Sequence, residues 1–434
     1  AEADIRWSLD VTNEGSYALL DDMYADMLPA FRSTWFNVGC DETWDLGKGR
    51  SAERAAVLGL GRVYLQHILR LRDLAARYGR RIQIWGDILL HYPELVAELP
   101  DDVLLLDWHY EAAEDYPSVR IFAESGRPFW VCPGTSSWNT IFPRIENSNG
   151  NIRTLARLAA EQGGQGLLNT DWGDHGHYQP IGQSWYGYLY AGEQAWTGGA
   201  TPDAEFDRSL GRLFFGPTGE NVVGAIRALG RLNTLEGMPL RNATNSVYAL
   251  LDEPLVGEVT PRLPAETLAE IARASEGAEA TFRGEMACAP HPEDLEDMAF
   301  TARLLAYAAR KTVAMQGLRA GLVALANGQA AAEEVLPPGI TTLRALEAEL
   351  VALTERFREV WYARARHSEI GISLGHLEGL RGRLACAAEW LEERLAAARA
   401  GETPDYDLAA YAECADYLVL GQRFWRRWRE LGLR

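Results

Sequence analysis

The sequence predicts an α/β fold of the (β/α)8-barrel type in its first part, followed by an all-helical C-terminal region. Up to about residue 200, short apolar runs alternate with amphipathic stretches, and each apolar run ends in polar and aromatic residues. Beyond that point, long stretches rich in Ala, Leu, Arg and Glu take over. Strands that alternate with helices form parallel sheets with right-handed crossovers, which is the repeating unit of such a barrel.

Five strands are predicted in the first part, and a helix follows each of them. The strands are Trp35–Val38, Ile82–Trp85, Val103–Trp108, Phe129–Cys132 and Gly166–Asn169. The helices lie near 53–78, 93–99, 117–125, 151–162 and 184–196. Because a closed barrel of this type has eight strands, five βα units predict a partial barrel with an open parallel edge.

Beyond Pro202 the apolar spacing is helical, and Gly and Pro breakers such as Pro337–Pro338 and Gly401 separate the helices. The predicted helices lie near 204–215, 264–282, 292–327, 341–366, 376–399 and 405–432. We therefore predict a barrel part over residues 1–200 and a helical region over residues 201–434.

The amino-acid composition argues against several classes of function. With 61 acidic and 42 basic residues the net charge is −19, so a nucleic acid or an anionic membrane is not expected as a partner. No apolar run reaches the ~18 residues that a membrane span needs. The five cysteines are scattered without metal-ligand spacing, so we expect free thiols in a reducing compartment. We expect a cytoplasmic protein without a secretion signal, and no cofactor or metal. The open sheet edge is compatible with a homo-oligomer.

Each predicted strand ends in Trp, Asp, Glu, His or Asn. The strings are FNVGCDETW, IQIWGD, LLLDWHYE, FWVCPGTSSWN and LLNTDWGDHGH. In a barrel these positions line the carboxyl-end face, where active sites lie. A doubly wound sheet also binds ligands at its strand ends, usually with a glycine-rich phosphate turn, which this sequence lacks. The strand ends therefore predict a site on the carboxyl-end face of a partial barrel.

Two adjacent carboxyls, Asp41 and Glu42, end the first strand, with Trp35 and Trp44 on either side. Cleavage of a glycosidic bond needs one acid for the leaving oxygen and a second group to stabilise the oxocarbenium-like centre. Apolar rings beside a carboxyl raise its pKa and keep it a competent acid near neutrality. Indole rings also pack on the apolar faces of sugars. The pattern favours a glycosidase over the alternative of a helix cap or a surface pair.

The string FNVGCDETWDLG resembles the catalytic motif of glycoside hydrolase family 20, the β-N-acetylhexosaminidases, where a strand ends in Gly-(Gly/Ala)-Asp-Glu. By this resemblance Glu42 would be the general acid/base, and Asp41 would hold the acetamide of the substrate. The acetamide oxygen then attacks the anomeric carbon, so the mechanism is retaining and substrate-assisted. The resemblance implies an enzyme that removes a terminal β-linked N-acetylhexosamine from a carbohydrate.

The resemblance continues in strand order over about residues 10–200. Trp85 and Asp87 resemble the residues after strand five, Trp108 would end strand six, and Trp172-Gly173-Asp174 resembles the Trp-x-Glu of strand eight. The substrate contacts expected from these positions are Trp44, Trp85, Asp87, Trp108, Trp138, Asn139, Trp172, Asp174 and His175.

Three features depart from the family pattern. The tyrosine that caps the acetamide on strand seven has no counterpart in CPGTSSWN, where Trp138 or Asn139 would substitute for it. Cys40 stands where the family has Gly or Ala. The first three strands of the barrel have no counterpart either.

Three other functions remain compatible with the sequence. A β-hexosidase would use Asp87 or Asp174 as its second carboxylate, acting as nucleophile or base. A carbohydrate-binding protein descended from such a barrel would carry no activity. A metal-dependent hydrolase would use Asp174, His175 and His177, because His-x-His is a ligand spacing.

Overall fold

The computed structural model describes residues 7–174 and 178–415. The chain divides into two compact units that interleave along the sequence. The first unit comprises Ala1–Gly134, Asn147–Thr170 and Tyr188–Pro202, and the second comprises Thr135–Glu146, Asp171–Gly187 and Asp203–Arg434. The predicted division at residue 200 stays a prediction.

A five-stranded parallel sheet forms the centre of the first unit. Its strands are β1 (Trp35–Asn37), β2 (Arg81–Trp85), β3 (Leu104–Trp108), β4 (Phe129–Cys132) and β5 (Gly166–Leu167), and they lie side by side in chain order. Every neighbouring pair is parallel, and the sheet curls into a half-barrel. The five predicted strands are confirmed, and the sheet is compatible with a partial α/β barrel. Within the described residues no sixth strand joins it.

Helices connect the strands. Those up to residue 200 are α1 (Glu14–Met27), α2 (Ala52–Leu58), α3 (Leu60–Arg77), α4 (Pro93–Val96), α5 (Pro117–Glu124), α6 (Ile145–Gln162) and α7 (Trp185–Thr197). The helix predicted over 53–78 is divided in two, because Gly59 adopts a left-handed backbone with φ 83°. The sequence analysis missed α1, whose first turn is capped by the side chain of Asn13.

The two faces of the sheet carry different residues, because side chains alternate along a strand. The face toward α3 and α5 is aliphatic and fully buried, through Ile82, Ile84, Leu105 and Val131. Burial of one such side chain contributes about 1.5–3 kcal/mol. The opposite face holds a smaller cluster of Trp85, Leu104, Leu106 and Cys132, with Trp35, Trp108, Trp130 and Leu168 packed against it and partly buried. The strand tryptophans therefore share one face, away from the helices.

The second unit is mostly helical rather than all-helical. Its helices are α8 (Asp203–Leu210), α9 (Gly219–Leu232), α10 (Asn245–Leu251), α11 (Ala265–Glu285), α12 (Pro292–Ala326), α13 (Ala332–Arg364), α14 (Ile370–Arg399) and α15 (Leu408–Ala415). The exception is a hairpin of β6 (Pro239–Leu240) and β7 (Ala243–Thr244), whose two-residue turn contains the left-handed Asn242. Among the described residues, no helix is both long and apolar enough to cross a membrane.

A buried ion cluster holds the end of α13 in the second unit. Arg364 pairs with Asp294 and, through Nε at 2.7 Å, with Asp297, both on α12. The N–H of Gly182 donates to Asp297 and the indole of Trp185 donates to Asp294, each at 3.0 Å. The cluster thus also fixes the segment at the start of α7.

In the first unit, the buried side chain of Asn151 on α6 ties together the loops that follow β3 and β4. Its Oδ1 accepts a hydrogen bond from the N–H of Gly134 at 3.0 Å. Its Nδ2 donates to the carbonyl of His109 at 2.8 Å and to the hydroxyl of Tyr116 at 2.9 Å. Because Asn151 is completely buried, water cannot replace these bonds.

We expect Asn151→Ala to lower the free energy of unfolding by about 2–4 kcal/mol, since it leaves the buried N–H of Gly134 and the partly buried carbonyl of His109 without their side-chain partner. Urea unfolding followed by tryptophan fluorescence measures this. Asn221→Ala is the control, because Asn221 is exposed and bonds only Glu285 on the surface. An equal, small effect of the two substitutions would contradict the role given to Asn151.

Candidate active site

The residues after β1 form a tight turn with an unusual backbone. Gly39 and Cys40 both have φ near 74°, and Glu42 has φ 49°. A residue with a Cβ seldom adopts this left-handed region, which costs of order 1–3 kcal/mol, so it persists only where the surroundings enforce it. Such positions concentrate at functional sites. Here they lie on either side of Asp41, within the predicted catalytic motif.

Hydrogen bonds from three segments hold the first half of this turn. The side chain of Asn37 accepts from the N–H of Gly39 at 2.7 Å, and the N–H of Trp85 on β2 donates to the Gly39 carbonyl at 3.1 Å. The hydroxyl of Tyr64 on α3 donates to the carbonyl of Cys40 at 2.9 Å. The backbone before Asp41 is therefore held by its own strand, by the next strand and by a helix.

The second half of the turn is held at Glu42. Its N–H donates to Oδ2 of Asp87 at 2.9 Å. Its carbonyl accepts from the indole of Trp7 at 2.7 Å and from the N–H of Trp44, also at 2.7 Å. Asp87 therefore fixes the backbone of the residue that is the candidate acid. The indole of Trp44 itself is 46% exposed beside this turn.

The carboxyls of Asp41 and Asp87 have raised pKa values. Burial is the main cause for Asp41, and the negative charge of Asp87 raises its pKa further. Burial also raises the pKa of Asp87. The hydrogen bond from the Glu42 N–H and the contact with the Trp108 indole lower this pKa, but burial is the larger effect. Desolvation raises the pKa of the Cys40 thiol to about 12, although the residue as a whole is only partly buried. The turn thus combines carboxyl groups with low solvation, the condition under which a carboxyl acts as an acid near neutrality.

Two buried polar atoms lie beside the turn without full hydrogen bonds. Oδ1 of Asp87 and Nε1 of Trp108 make no bond of good geometry within the described residues, although the indole still lowers the pKa of Asp87. The Trp108 ring stacks on Tyr110, with ring centres 5.2 Å apart. The indole of Trp108 and the carboxyl of Asp87 therefore form one polar contact beside the turn.

A second polar cluster follows β3. The hydroxyl of Ser118 donates to Asp107 at 2.8 Å, and Nε2 of His109 lies 2.7 Å from the same hydroxyl oxygen. Because the one hydroxyl hydrogen of Ser118 goes to Asp107, Nε2 must carry the proton that bonds Ser118. The cluster joins β3 to the first turn of α5.

In the second unit, the loop after β4 packs on the β6–β7 hairpin. Trp138 is buried, and its indole donates to Oδ1 of Asn242 at 3.0 Å. Asn139 has a left-handed backbone, and its carbonyl accepts from the N–H of Thr244 at 3.0 Å. The buried Trp138 ring presents no face on which a sugar could stack. A substrate contact from it would require the ring to leave this position.

The loop after β5 carries the remaining predicted residues. The indole of Trp172 is 37% exposed, and the neighbouring Asp171 accepts from the hydroxyl of Thr135 at 2.9 Å. Asp174 ends the described part of this loop, and His175 and His177 lie outside the described residues. Among the residues that the structure describes, no group of three or more His, Cys, Asp and Glu could hold a metal ion.

The predicted residues therefore divide between the units. Asp41, Glu42, Trp44, Trp85, Asp87 and Trp108 belong to the first unit, whereas Trp138, Asn139, Trp172 and Asp174 belong to the second. The structure brings Asp41, Glu42 and Asp87 together. Sequence reasoning missed Tyr64 and Trp7, because neither follows a strand and nothing in the local sequence marks a contact with a turn 24 or 35 residues away.

Comparisons with known proteins find structural likenesses among solved structures. No protein-family model and no curated protein sequence match the chain. An X-ray structure of a chitobiase from Flavobacterium johnsoniae (FjGH20) aligns with 86% of this chain at 12% identity and a TM-score of 0.39. The alignment spans 60% of the length of that protein. A likeness this weak does not assign an activity to the chain.

The raised pKa of Asp41 predicts a pH-dependent stability. A carboxyl whose pKa is higher in the folded chain than its ordinary 3.8 holds its proton more tightly when folded. Its ionisation therefore lowers stability as the pH rises above about 4. We expect Asp41→Asn to gain stability relative to wild type between about pH 4 and pH 7.

Urea unfolding at a series of pH values measures the difference. Asp22→Asn on the exposed side of α1 is the matched control, and its curve should run parallel to wild type. Parallel curves for Asp41→Asn as well would contradict the burial of this carboxyl.

Proposed function

We propose that the chain is a glycoside hydrolase that removes a terminal β-linked N-acetylhexosamine with retention of configuration. The observation that carries the proposal is the left-handed turn, which places Asp41 and Glu42 next to the partly buried Asp87. The resemblance of the motif to family 20 gives the two carboxyls their separate roles. No cofactor or metal takes part.

In the first step Glu42 gives its proton to the leaving oxygen as the glycosidic C–O bond breaks. The acetamide oxygen of the substrate forms a bond to the anomeric carbon, while the Asp41 carboxylate accepts a hydrogen bond from the acetamide N–H. In the second step Glu42 takes a proton from water, and the water oxygen bonds to the anomeric carbon. The bond between the anomeric carbon and the acetamide oxygen breaks at the same time. Two inversions at one carbon give net retention.

The surroundings of the turn suit a sugar. The indole of Trp44 is exposed and that of Trp108 is partly buried, and we propose that both offer apolar ring faces to the sugar. The Asp87 carboxyl and the Trp108 indole would accept from and donate to sugar hydroxyls. We propose Trp85 as a further contact to the sugar. Trp138, Asn139, Trp172, Asp174 and His175 remain proposed contacts.

The main alternative is a β-hexosidase in which Asp87 is the nucleophile or base. In favour of it, one oxygen of Asp87 has no full hydrogen bond. Against it, the other oxygen is committed to the N–H of Glu42 at 2.9 Å, which suits a residue that positions the backbone. Asp174 remains the other proposed candidate for this role. A binding protein without activity is the second alternative.

Hydrolysis of p-nitrophenyl sugars tests the proposal. We expect turnover of the β-N-acetylglucosaminide or β-N-acetylgalactosaminide and none of the β-glucoside or β-galactoside, because only an acetamide supplies the internal nucleophile. Glu42→Gln should lower kcat by about 10²–10⁴-fold, the range for loss of a general acid. Glu53→Gln, an exposed residue on α2, is the control and should keep full activity.

Each other result has a clear meaning. Turnover of the plain hexosides would favour Asp87 or Asp174 as the second carboxylate. Binding of these sugars without turnover, equal in wild type and Glu42→Gln, would favour the binding protein.

The charge of Asp87 predicts a shift in the pH profile. Since the negative charge of Asp87 raises the pKa of Asp41, Asp87→Asn should lower that pKa while its amide oxygen still accepts from Glu42. If Asp41 must be ionised for catalysis, the acid limb of kcat/KM moves to lower pH in the variant. An acid limb at the wild-type position would show that Asp41 does not set it, and complete loss of activity would favour Asp87 as a nucleophile.

A further inference from the structure

We propose that Tyr64 is a positioning residue for the Asp41–Glu42 pair, an inference that rests on the function proposed above. Its hydroxyl holds the Cys40 carbonyl, and the Asp87 carboxylate holds the Glu42 N–H. We call these two hydrogen bonds the turn clamp. They bracket Asp41 from both sides.

Tyr64 is a rigid anchor for the first arm of the clamp. It lies on α3, and only 2% of it is exposed. Its ring packs in the main hydrophobic cluster of the first unit, together with Val63, Ile68 and Ile84. Burial raises the pKa of the phenol well above its ordinary value, so the hydroxyl remains a donor over the whole working range of pH. Helix α3 and the hydrophobic cluster around Tyr64 thus fix the carbonyl of Cys40 in the turn after β1.

The turn needs such an anchor because Cys40 is not a glycine. Cys40 holds φ 74° although its Cβ disfavours that conformation. If the Tyr64 hydroxyl no longer bonds the carbonyl of Cys40, Cys40 can relax toward a right-handed backbone conformation. The peptide plane before Asp41 would then rotate, and both carboxyls that follow would move. Misplacement of a catalytic group by about 1 Å can cost about 10²-fold in rate.

A purely structural role for Tyr64 makes a different prediction. If the hydroxyl merely satisfies a buried carbonyl, its loss lowers stability and leaves the turn in place. If it positions the pair, its loss changes the catalytic step and the accessibility of the turn. Two measurements, one with substrate and one without, separate these roles.

The first measurement compares Tyr64→Phe with Tyr78→Phe. Both substitutions keep a ring in the same hydrophobic cluster and remove one hydroxyl bond, because the hydroxyl of Tyr78 donates to Asp21 at 2.8 Å. The substrate is the p-nitrophenyl N-acetyl sugar that the wild type hydrolyses. With it, we expect Tyr64→Phe to lower kcat by about 10–100-fold with KM little changed. Tyr78→Phe should keep the wild-type kcat.

The second measurement follows the thiol of Cys40 in the absence of substrate. Cys40 is partly buried and packs against the core. The raised pKa of its thiol leaves little reactive thiolate, so a thiol reagent should react with it slowly. We expect several-fold faster labelling of the Cys40 peptide in Tyr64→Phe, measured by mass spectrometry. Labelling in Tyr78→Phe should match wild type, and the exposed Cys288 should label at one rate in all three proteins.

The outcomes separate this inference from the proposed function. A lower kcat together with faster Cys40 labelling in Tyr64→Phe than in wild type supports the positioning role. Unchanged labelling, or faster labelling with unchanged kcat, overturns it. If wild type hydrolyses none of the sugars, the proposed function fails, and Cys40 labelling alone decides whether Tyr64 holds the turn.

Discussion

The left-handed backbone of the turn after β1 is the constraint on which the candidate site depends. A strand that continued in extended form would send Asp41 and Glu42 to opposite faces, because side chains alternate along a strand. The positive φ of Cys40 and Glu42 turns the chain so that both carboxyls follow one strand end. The strain is tolerated because bonds from Tyr64 and Asp87 fix the backbone before and after Asp41.

The parallel sheet explains why these partners are available. Since β1 and β2 run in the same direction, the residues that follow both strands meet at one edge, and Asp87 reaches Glu42 across 45 residues of sequence. The helices on the aliphatic face supply the second kind of support, a side chain such as Tyr64 or Asn151 that reaches the strand ends from the core. Burial, which raises the pKa of Asp41 and Asp87, is a consequence of the same arrangement.

Much of this arrangement was predictable from the sequence, because apolar runs and the polar residues after them are local signals. The five strands and the placement of Asp41 and Asp87 after two of them, at one end of the sheet, follow from these signals. The contact with Tyr64 was not predictable, since it depends on the rotation of α3 in the core. The burial of Trp138 depends on a hairpin about 100 residues further along. Pro337–Pro338 were expected to break a helix, but α13 runs through both of them.

The central claim is that the turn holds Asp41 and Glu42 for a reaction in which the acetamide of the substrate is the nucleophile. The most direct measurement is kcat for p-nitrophenyl β-N-acetylglucosaminide and its mono-, di- and trifluoroacetyl analogues. Fluorine withdraws electrons from the acetamide oxygen without changing the leaving group. The account predicts that kcat falls steeply with each fluorine. A kcat that is independent of fluorination would contradict it and would assign the attack on the anomeric carbon to the protein.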